Sequence, residues 1–394
     1  MRSRWALAAA MLLAAFNLRT AVTSVGPVLD ELKAGVGLSG GIAGLLTTLP
    51  VLSFALLGSL TPRLSRRFGE RHVLCAALLL MAAGLQARAL VDDAVLFLLL
   101  SVAALAGGAA GNVLLPVLVK RHFPDRLGQA TAGYTTSIAV GTTAAAALTV
   151  PIASLRGGLD WRLGVGAWAL PAAAAGLAWL VLARGDRPVP ADQQPARLPV
   201  HRSRTAWALA LFFGSQSMQA YIAFGWFPLY FREQAGVSAT RAGLLVAVYA
   251  ALSIPIAAFV PALAARWPDQ RPLVMGSVAL YVLAYTGMLL APAAGAWLWV
   301  VLVGIAAGSF PLALTLLGLR TRTPETTASL SAFAQSVGYV VAGSGPLLVG
   351  VLHGGSGQWG WSFVLLYADL VLMAAAGWFA AQPRYVEDDL AVRA

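Results

Sequence analysis

Twelve apolar runs divide this chain, and their length leaves few structures open to it. They cover residues 5–29, 41–62, 72–91, 94–119, 129–155, 161–183, 205–230, 240–265, 273–291, 296–319, 327–353 and 360–381, each 19–27 residues long. About 20 residues of helix cross the hydrocarbon of a bilayer. There, backbone N–H and C=O groups must be satisfied within the segment, which a helix does and an open strand cannot. Charged residues make up 11% of the chain, against about a quarter in soluble domains, and the mean hydropathy is +0.76. The expectation is an all-α, multi-pass membrane protein whose runs are numbered below as spans 1–12. Arg2 and Arg4 before an Ala/Leu run resemble the start of a signal peptide. The run continues past Arg19 to Val28 with no small-residue cleavage site, so it reads as span 1.

The loops set the orientation. With both ends in the cytoplasm, the inside holds Arg2, Arg4, Arg63, Arg66, Arg67, Arg71, Lys120, Arg121, Arg126, five basic residues of 184–204, Arg266, Arg271, Arg320, Arg322, Arg384 and Arg393. These are 20 of the 27 lysines and arginines. Lys33, Arg88, Arg156, Arg162, Arg232 and Arg241 fall outside, and Arg19 is left within a span. Such a bias predicts cytoplasmic termini in the cytoplasmic membrane. It also accounts for the net charge of +11 without a nucleic-acid partner. The proline-rich stretch 184–204 reads as a cytoplasmic linker between two six-helix bundles, 1–183 and 205–382, with 383–394 as a cytoplasmic tail. A single cysteine, Cys75, excludes an intramolecular disulfide and a cysteine-rich metal site, and the four histidines fall at or beyond the ends of apolar runs. No cofactor or metal is expected.

The two halves echo one another. Pro27-Val-Leu-Asp-Glu-Leu-Lys-Ala-Gly-Val, followed by Ala43-Gly-Leu-Leu46, matches Pro228-Leu-Tyr-Phe-Arg-Glu-Gln-Ala-Gly-Val, followed by Ala242-Gly-Leu-Leu245. Gly111 to Lys120 recurs more weakly as Gly308 to Leu317. Repeated halves predict a binding site between them at mid-membrane depth.

After span 2 the chain reads Gly58-Ser-Leu-Thr-Pro-Arg-Leu-Ser-Arg66-Arg67-Phe-Gly69-Glu-Arg71. This resembles the signature loop of the major facilitator superfamily, except that Pro62 stands where an acid usually precedes the first arginine. Three further motifs are similar to the cyanate-permease and nitroimidazole-transporter group of that superfamily. They are Asn17-Leu-Arg19-Thr-Ala-Val-Thr23-Ser24-Val-Gly26-Pro27, Ala43-Gly-Leu-Leu-Thr-Thr-Leu-Pro50, and Gly111-Asn112-Val-Leu-Leu-Pro116 with Lys120. The resemblance implies a twelve-helix permease for a small solute, with Arg63, Arg66 and Arg67 as a cytoplasmic loop gate. It also implies that spans 1, 4, 7 and 10 line the cavity, that 2, 5, 8 and 11 flank it, and that 3, 6, 9 and 12 are peripheral.

Arg19 is the residue hardest to explain as mere structure. A guanidinium keeps its proton, and at mid-membrane it costs about 2.5–3.5 kcal/mol on insertion scales. No acid stands at mid-depth in spans 1 to 11 to pair with it. Helical spacing would place Phe16, Arg19, Thr20 and Thr23 on one face of span 1. The other candidates for substrate contact are Asn17, Asn112, Tyr134, Ser137, Gln216, Gln219, Trp226, Tyr249, Thr315, Gln335 and Tyr339. Against each stands a plainer role, since Ser and Thr in membrane helices commonly bond their own backbone. Asp369 in span 12 is the one membrane-embedded acid and a coupling candidate. A peripheral span near the outer end favours structural hydrogen bonding there instead.

Together these features point to a secondary active transporter for a small polar, anionic solute, such as a cyanate-like anion, a carboxylate or a small heterocycle. Arg19 would be the main contact, because its planar fork suits a delocalised anion. The expected partners are that solute, the lipid bilayer and a coupling proton, with the chain monomeric. A multidrug or toxic-compound exporter is the alternative within the class. An enzyme would need a nucleophile–base set or metal ligands at depth, and an ATP-driven pump a GxxxxGK[ST] loop; the sequence has neither. A receptor would need a larger soluble output domain.

Overall fold

The computed structural model describes residues 2–38, 40–123, 127–183 and 198–391, and no strand occurs among them. Nine of the twelve predicted spans are single helices. These are Gly40–Phe68, Glu70–Arg88, Ala94–His122, Leu127–Ala153, Arg204–Ala235, Ala239–Arg266, Arg271–Leu290, Pro324–Ser356 and Gly360–Ala380. Three are interrupted at membrane depth. Span 1 runs as Arg2–Asn17, Thr20–Thr23, a 3-10 turn Gly26–Val28, and Leu29–Val36. Span 6 is Trp161–Gly166 and Ala169–Leu182, and span 10 is Ala296–Ala306 and Ser309–Leu319. Among the described residues, ten segments are long and apolar enough to cross a membrane. Spans 3 and 7 fall short. Span 3 has Arg71, His72, Gln86 and Arg88 near its ends, and span 7 carries Ser215, Gln216, Ser217 and Gln219 in its middle.

Helix ends follow local chemistry. Asp93, Ser203, Ser238 and Thr323 each accept a hydrogen bond from an N–H of the first turn of spans 4, 7, 8 and 11. Gly236 ends span 7 at φ +63° and Gly37 ends the Leu29–Val36 helix at φ +68°, a conformation glycine adopts without a Cβ penalty. The repeat therefore slips here. Gly35, the sequence match of Gly236, lies inside a helix, where a Cβ would come 2.3 Å from Trp161 Nε1.

The halves meet through spans 2 with 11 and 5 with 8. Both glycines of the repeated Ala-Gly-Leu-Leu sit at these contacts. A Cβ on Gly44 would stand 2.8 Å from Leu347 O, and one on Gly243 would stand 2.6 Å from Ala146 O. Near them Thr48 Oγ1 donates to Gly343 O at 3.0 Å, and Trp226 Nε1 donates to Thr47 Oγ1 and Pro346 O, each at 3.1 Å. Farther out, Arg232 donates to both carboxylate oxygens of Glu31 at 3.0 and 2.7 Å and also pairs with Asp30. One apolar core runs through both halves at this end, from Val28, Leu32 and Leu46 to Trp226, Leu229 and Val349. At the end bearing the termini and most of the arginines, the first half keeps a separate core of Leu7, Met11, Leu78, Leu118 and Trp179. There Thr136 and Ser336 are exposed at membrane depth. The described hydrogen bonds and ion pairs between the halves thus gather at the end away from the termini.

The basic end is tied by acids from unexpected places. Glu70 pairs with Arg121 at 3.0 Å, and Arg71 donates to Leu182 O at 3.1 Å. Of the predicted 184–204 linker, only 198–204 falls within the described residues. Within the predicted tail, Val386–Ala391 form a helix. Its Asp389 accepts from Ser203 Oγ at 2.6 Å and Thr205 N–H at 2.8 Å. Burial pulls the Asp389 carboxyl upward, but these bonds outweigh it and hold it below the ordinary carboxylate range. An acid at the first turn of span 7 also suits the positive end of that helix.

Candidate functional site

The site begins where span 1 comes apart. The helix Arg2–Asn17 ends, and Arg19 stands at φ −122°, ψ 0° before the short helix Thr20–Thr23. Breaking a helix in hydrocarbon frees carbonyls that need donors, and neighbouring side chains supply them. Thr20 Oγ1 donates to Asn17 O at 3.0 Å, Thr23 Oγ1 to Arg19 O at 3.1 Å, and Arg88 Nη2 to Ala21 O at 3.2 Å. Asn17 Nδ2 donates to Leu13 O and to Pro171 O of span 6. Glycines of spans 4 and 5 let these helices press on the break. A Cβ on Gly108 would come 2.5 Å from Leu18 O, and one on Gly141 would come 1.8 Å from Phe16 O.

This geometry corrects the expectation of a continuous polar face. Asn17, Thr20 and Thr23 are fully buried and spend their donors on backbone, whereas Arg19 does neither. It is half-buried, and its side chain has no hydrogen bond or ion pair among the described residues. Its Cζ lies 5.9 Å from the centroid of the Phe310 ring. Phe310 sits in the first turn of the Ser309–Leu319 helix, so the interruptions of spans 1 and 10 face one another. Tyr221, Tyr249 and Tyr339 stand within electrostatic reach of the guanidinium. Phe213 links Phe310 and Tyr339, with ring centroids 6.3 and 5.5 Å away. The result is one cation in an aromatic enclosure. The C-terminal end of Arg2–Asn17 stabilises that cation, and the N-terminal end of Ser309–Leu319 favours an anion beside it.

The other predicted residues separate into two sets. Asn112, Tyr134, Gln335 and Tyr339 are half-buried, with no hydrogen-bond partner among the described residues, and so keep polar groups free. The remainder are engaged. Ser137 Oγ donates to Leu12 O and Thr315 Oγ1 to Pro311 O. Gln216 Nε2 donates to Phe213 O and Ser217 Oγ. Trp226 is fully buried in the closure between halves, and Tyr249 is engaged by its ring alone, edge-on against Phe224 at 5.0 Å, with no hydrogen-bond partner for its hydroxyl among the described residues. Gln219 Nε2 donates to Asp369 Oδ2 at 2.8 Å, and Gln219 Oε1 accepts from Tyr285 Oη at 2.5 Å. Asp369 is buried in that cluster between spans 7, 9 and 12. Arg63 and Arg67 are exposed at the basic end. Arg63 donates to Ser59 O of its own helix, and Arg67 lies over Phe68. The Arg66 side chain lies outside the described residues.

Sequence reasoning missed Phe310, Tyr221 and Phe213, because an aromatic within an apolar run carries no signal of its face. It also placed Arg88 among the outward loops, whereas the structure buries that residue to 1% exposure.

The sequence matches the family described as Major Facilitator Superfamily over residues 11–346. It is 36% identical over 377 residues to the uncharacterized transporter YycB of Bacillus subtilis (strain 168), covering 94% of this chain and 92% of that one. It is 32% identical to the 2-nitroimidazole transporter of Escherichia coli (strain K12), over 98% of both chains. With the cyanate transport protein CynX of the same organism the identity is 31%, covering 90% of this chain and 92% of the relative. In fold it is similar to the D-xylose–proton symporter, with a TM-score of 0.79 at 14% identity, over 98% of this chain and 99% of that one.

Proposed function

We propose that this chain, which belongs to the Major Facilitator Superfamily and is a multi-pass membrane transporter rather than an enzyme, carries a small planar anion by alternating access, with Arg19 as the main contact. Its termini face the cytoplasm in this reading, and the structure corresponds to the inward-open state. The observation that carries the proposal is a half-exposed guanidinium, unpaired among the described residues, where two interrupted helices meet. Charge at that depth costs a few kcal/mol, and a ligand carboxylate or cyanate would accept two parallel charge-assisted bonds from the fork. Relatives named for cyanate and 2-nitroimidazole support a small planar solute. The aromatic enclosure of Phe310, Phe213, Tyr221, Tyr249 and Tyr339 supports a delocalised one, because ring faces stack on planar partners. Asn112 and Gln335, with free amides, are proposed as further contacts.

A second reading, export of neutral heterocycles, rests on the same aromatic surround. The test is uptake into proteoliposomes and ligand-induced melting shifts with cyanate, aromatic carboxylates and nitroimidazoles. Saturable binding of anions that is lost in Arg19→Gln supports the first reading. Binding of neutral heterocycles that survives Arg19→Gln supports the second and defeats the first.

A further inference from the structure

Arg88 closes span 3, and the function proposed above makes no use of it. Its side chain is 1% exposed, and one hydrogen bond is described for it, from Nη2 to Ala21 O at 3.2 Å. Its Nε is buried without a partner among the described residues, and no carboxylate pairs with it. The nearby acids are committed elsewhere, Asp92 to Arg162 and Asp93 to the first turn of span 4. The Phe97 ring, 5.9 Å from Arg88 Cζ, supplies a weak apolar counter-face. One carbonyl and one ring face do not replace the hydration of a guanidinium, whose removal from water is among the largest single costs a fold can carry.

The same side chain lines a cavity of about 20 Å³, which is room for one or two water-sized bodies at about 10–15 Å³ each. Ala21, Val22 and Val25 of span 1 also line it, together with Ser101, Thr47 and Tyr221. The Ser101 hydroxyl is spent on Phe97 O and that of Thr47 on Ala43 O and Gly44 O. Tyr221 Oη has no hydrogen-bond partner among the described residues. The free donors around the cavity are therefore Arg88 and Tyr221, and the guanidinium charge makes that set favour an anion over a cation.

We infer that the Arg88 cavity is an anion site of its own, sized for a halide-like monovalent ion, which shares Tyr221 with the surround of Arg19 but is centred on Arg88. A bound anion there would balance the buried guanidinium and fix Ala21, two residues beyond Arg19, to span 3. This inference does not depend on the identity of the cargo.

The experiment uses the purified full chain in sodium gluconate, titrated with sodium chloride or bromide at constant ionic strength. The wild type and Arg19→Gln should both show a saturable rise in melting temperature, about 2 °C at ten times the dissociation constant. Arg88→Gln should abolish the rise, and Tyr221→Phe should weaken halide affinity several-fold. Equal melting of the wild type in chloride and gluconate, or an undiminished halide effect in a folded Arg88→Gln, overturns the inference. Should Arg88→Gln fail to fold, wild-type crystals grown in bromide decide. An anomalous peak beside Arg88 and Tyr221 supports the site, and its absence from that cavity rejects it.

Discussion

At the scale of single residues, Arg19 and Gln219 carry opposite expectations although both are polar and both lie at mid-span. The cost of the Arg19 charge, about 2.5–3.5 kcal/mol, exceeds the roughly 0.3–1 kcal/mol that the end of Arg2–Asn17 returns. Arg19→Ala should therefore leave folding intact while abolishing cargo binding. Arg19→Lys should keep the charge and lose at least about tenfold in affinity, because a point charge cannot copy the fork. Detergent-extracted yield and ligand-induced melting shifts of the three proteins check this; an Arg19→Ala protein that binds normally sinks it. Gln219→Ala should do the reverse. It strands Asp369 Oδ2 and Tyr285 Oη, both bonded to that amide, and should cost about 1–3 kcal/mol of stability with little change in binding per folded molecule. A lowered affinity at unchanged melting temperature would show that Gln219 reaches the cargo. The sequence made Arg19 conspicuous because a charge inside an apolar run is visible without knowing the fold. It could not separate Gln219 from Gln335, since the two amides differ only in which neighbours the packing brings to them.

At the scale of elements, the position of most spans was legible from hydropathy, because lipid enforces helix length directly. The interruptions were not. Pro50, Pro116, Pro151, Pro255 and Pro346 stay within continuous helices and Pro311 stands just past the interruption of span 10, whereas span 1 opens at Leu18–Arg19, where no proline stands. What permits that opening lies in other spans: the Arg88 side chain, the Pro171 carbonyl, and the glycines at 108 and 141. The glycines of the repeated Ala-Gly-Leu-Leu were readable as a motif but not as the points where helices touch. Gly44→Val and Gly243→Val should each push carbonyls of the opposite half away, since even a Cβ would come within 2.8 Å of one. The closed end should then loosen, with at least about a tenfold loss of uptake, equivalent to 1.4 kcal/mol. Distance measurements between labels at the outer ends of spans 2 and 11 should report the separation. Normal uptake and unchanged distances in both variants would show that this contact is not close in the membrane.

At the scale of the whole molecule, the arginine distribution predicts which end faces the cytoplasm. Asp192→Cys, within the linker, should react with an impermeant thiol reagent only after cells are opened, and labelling of intact cells would defeat the orientation. Cys75 should not interfere, because it is buried with its thiol on Gly176 O. The other end is clasped by Glu31 and Arg232, which are 201 residues apart and occupy the same place in the repeated segment. Two identical halves set about a twofold axis bring each axial residue against its own copy. Carboxylate would then meet carboxylate, or guanidinium would meet guanidinium, and the clasp would become a repulsion. The doubled architecture invites a picture of two interchangeable units, yet this pair makes the halves complementary instead. A dimer of either half alone could not close in this way, so the clasp depends on the two halves differing in charge at this one matched position.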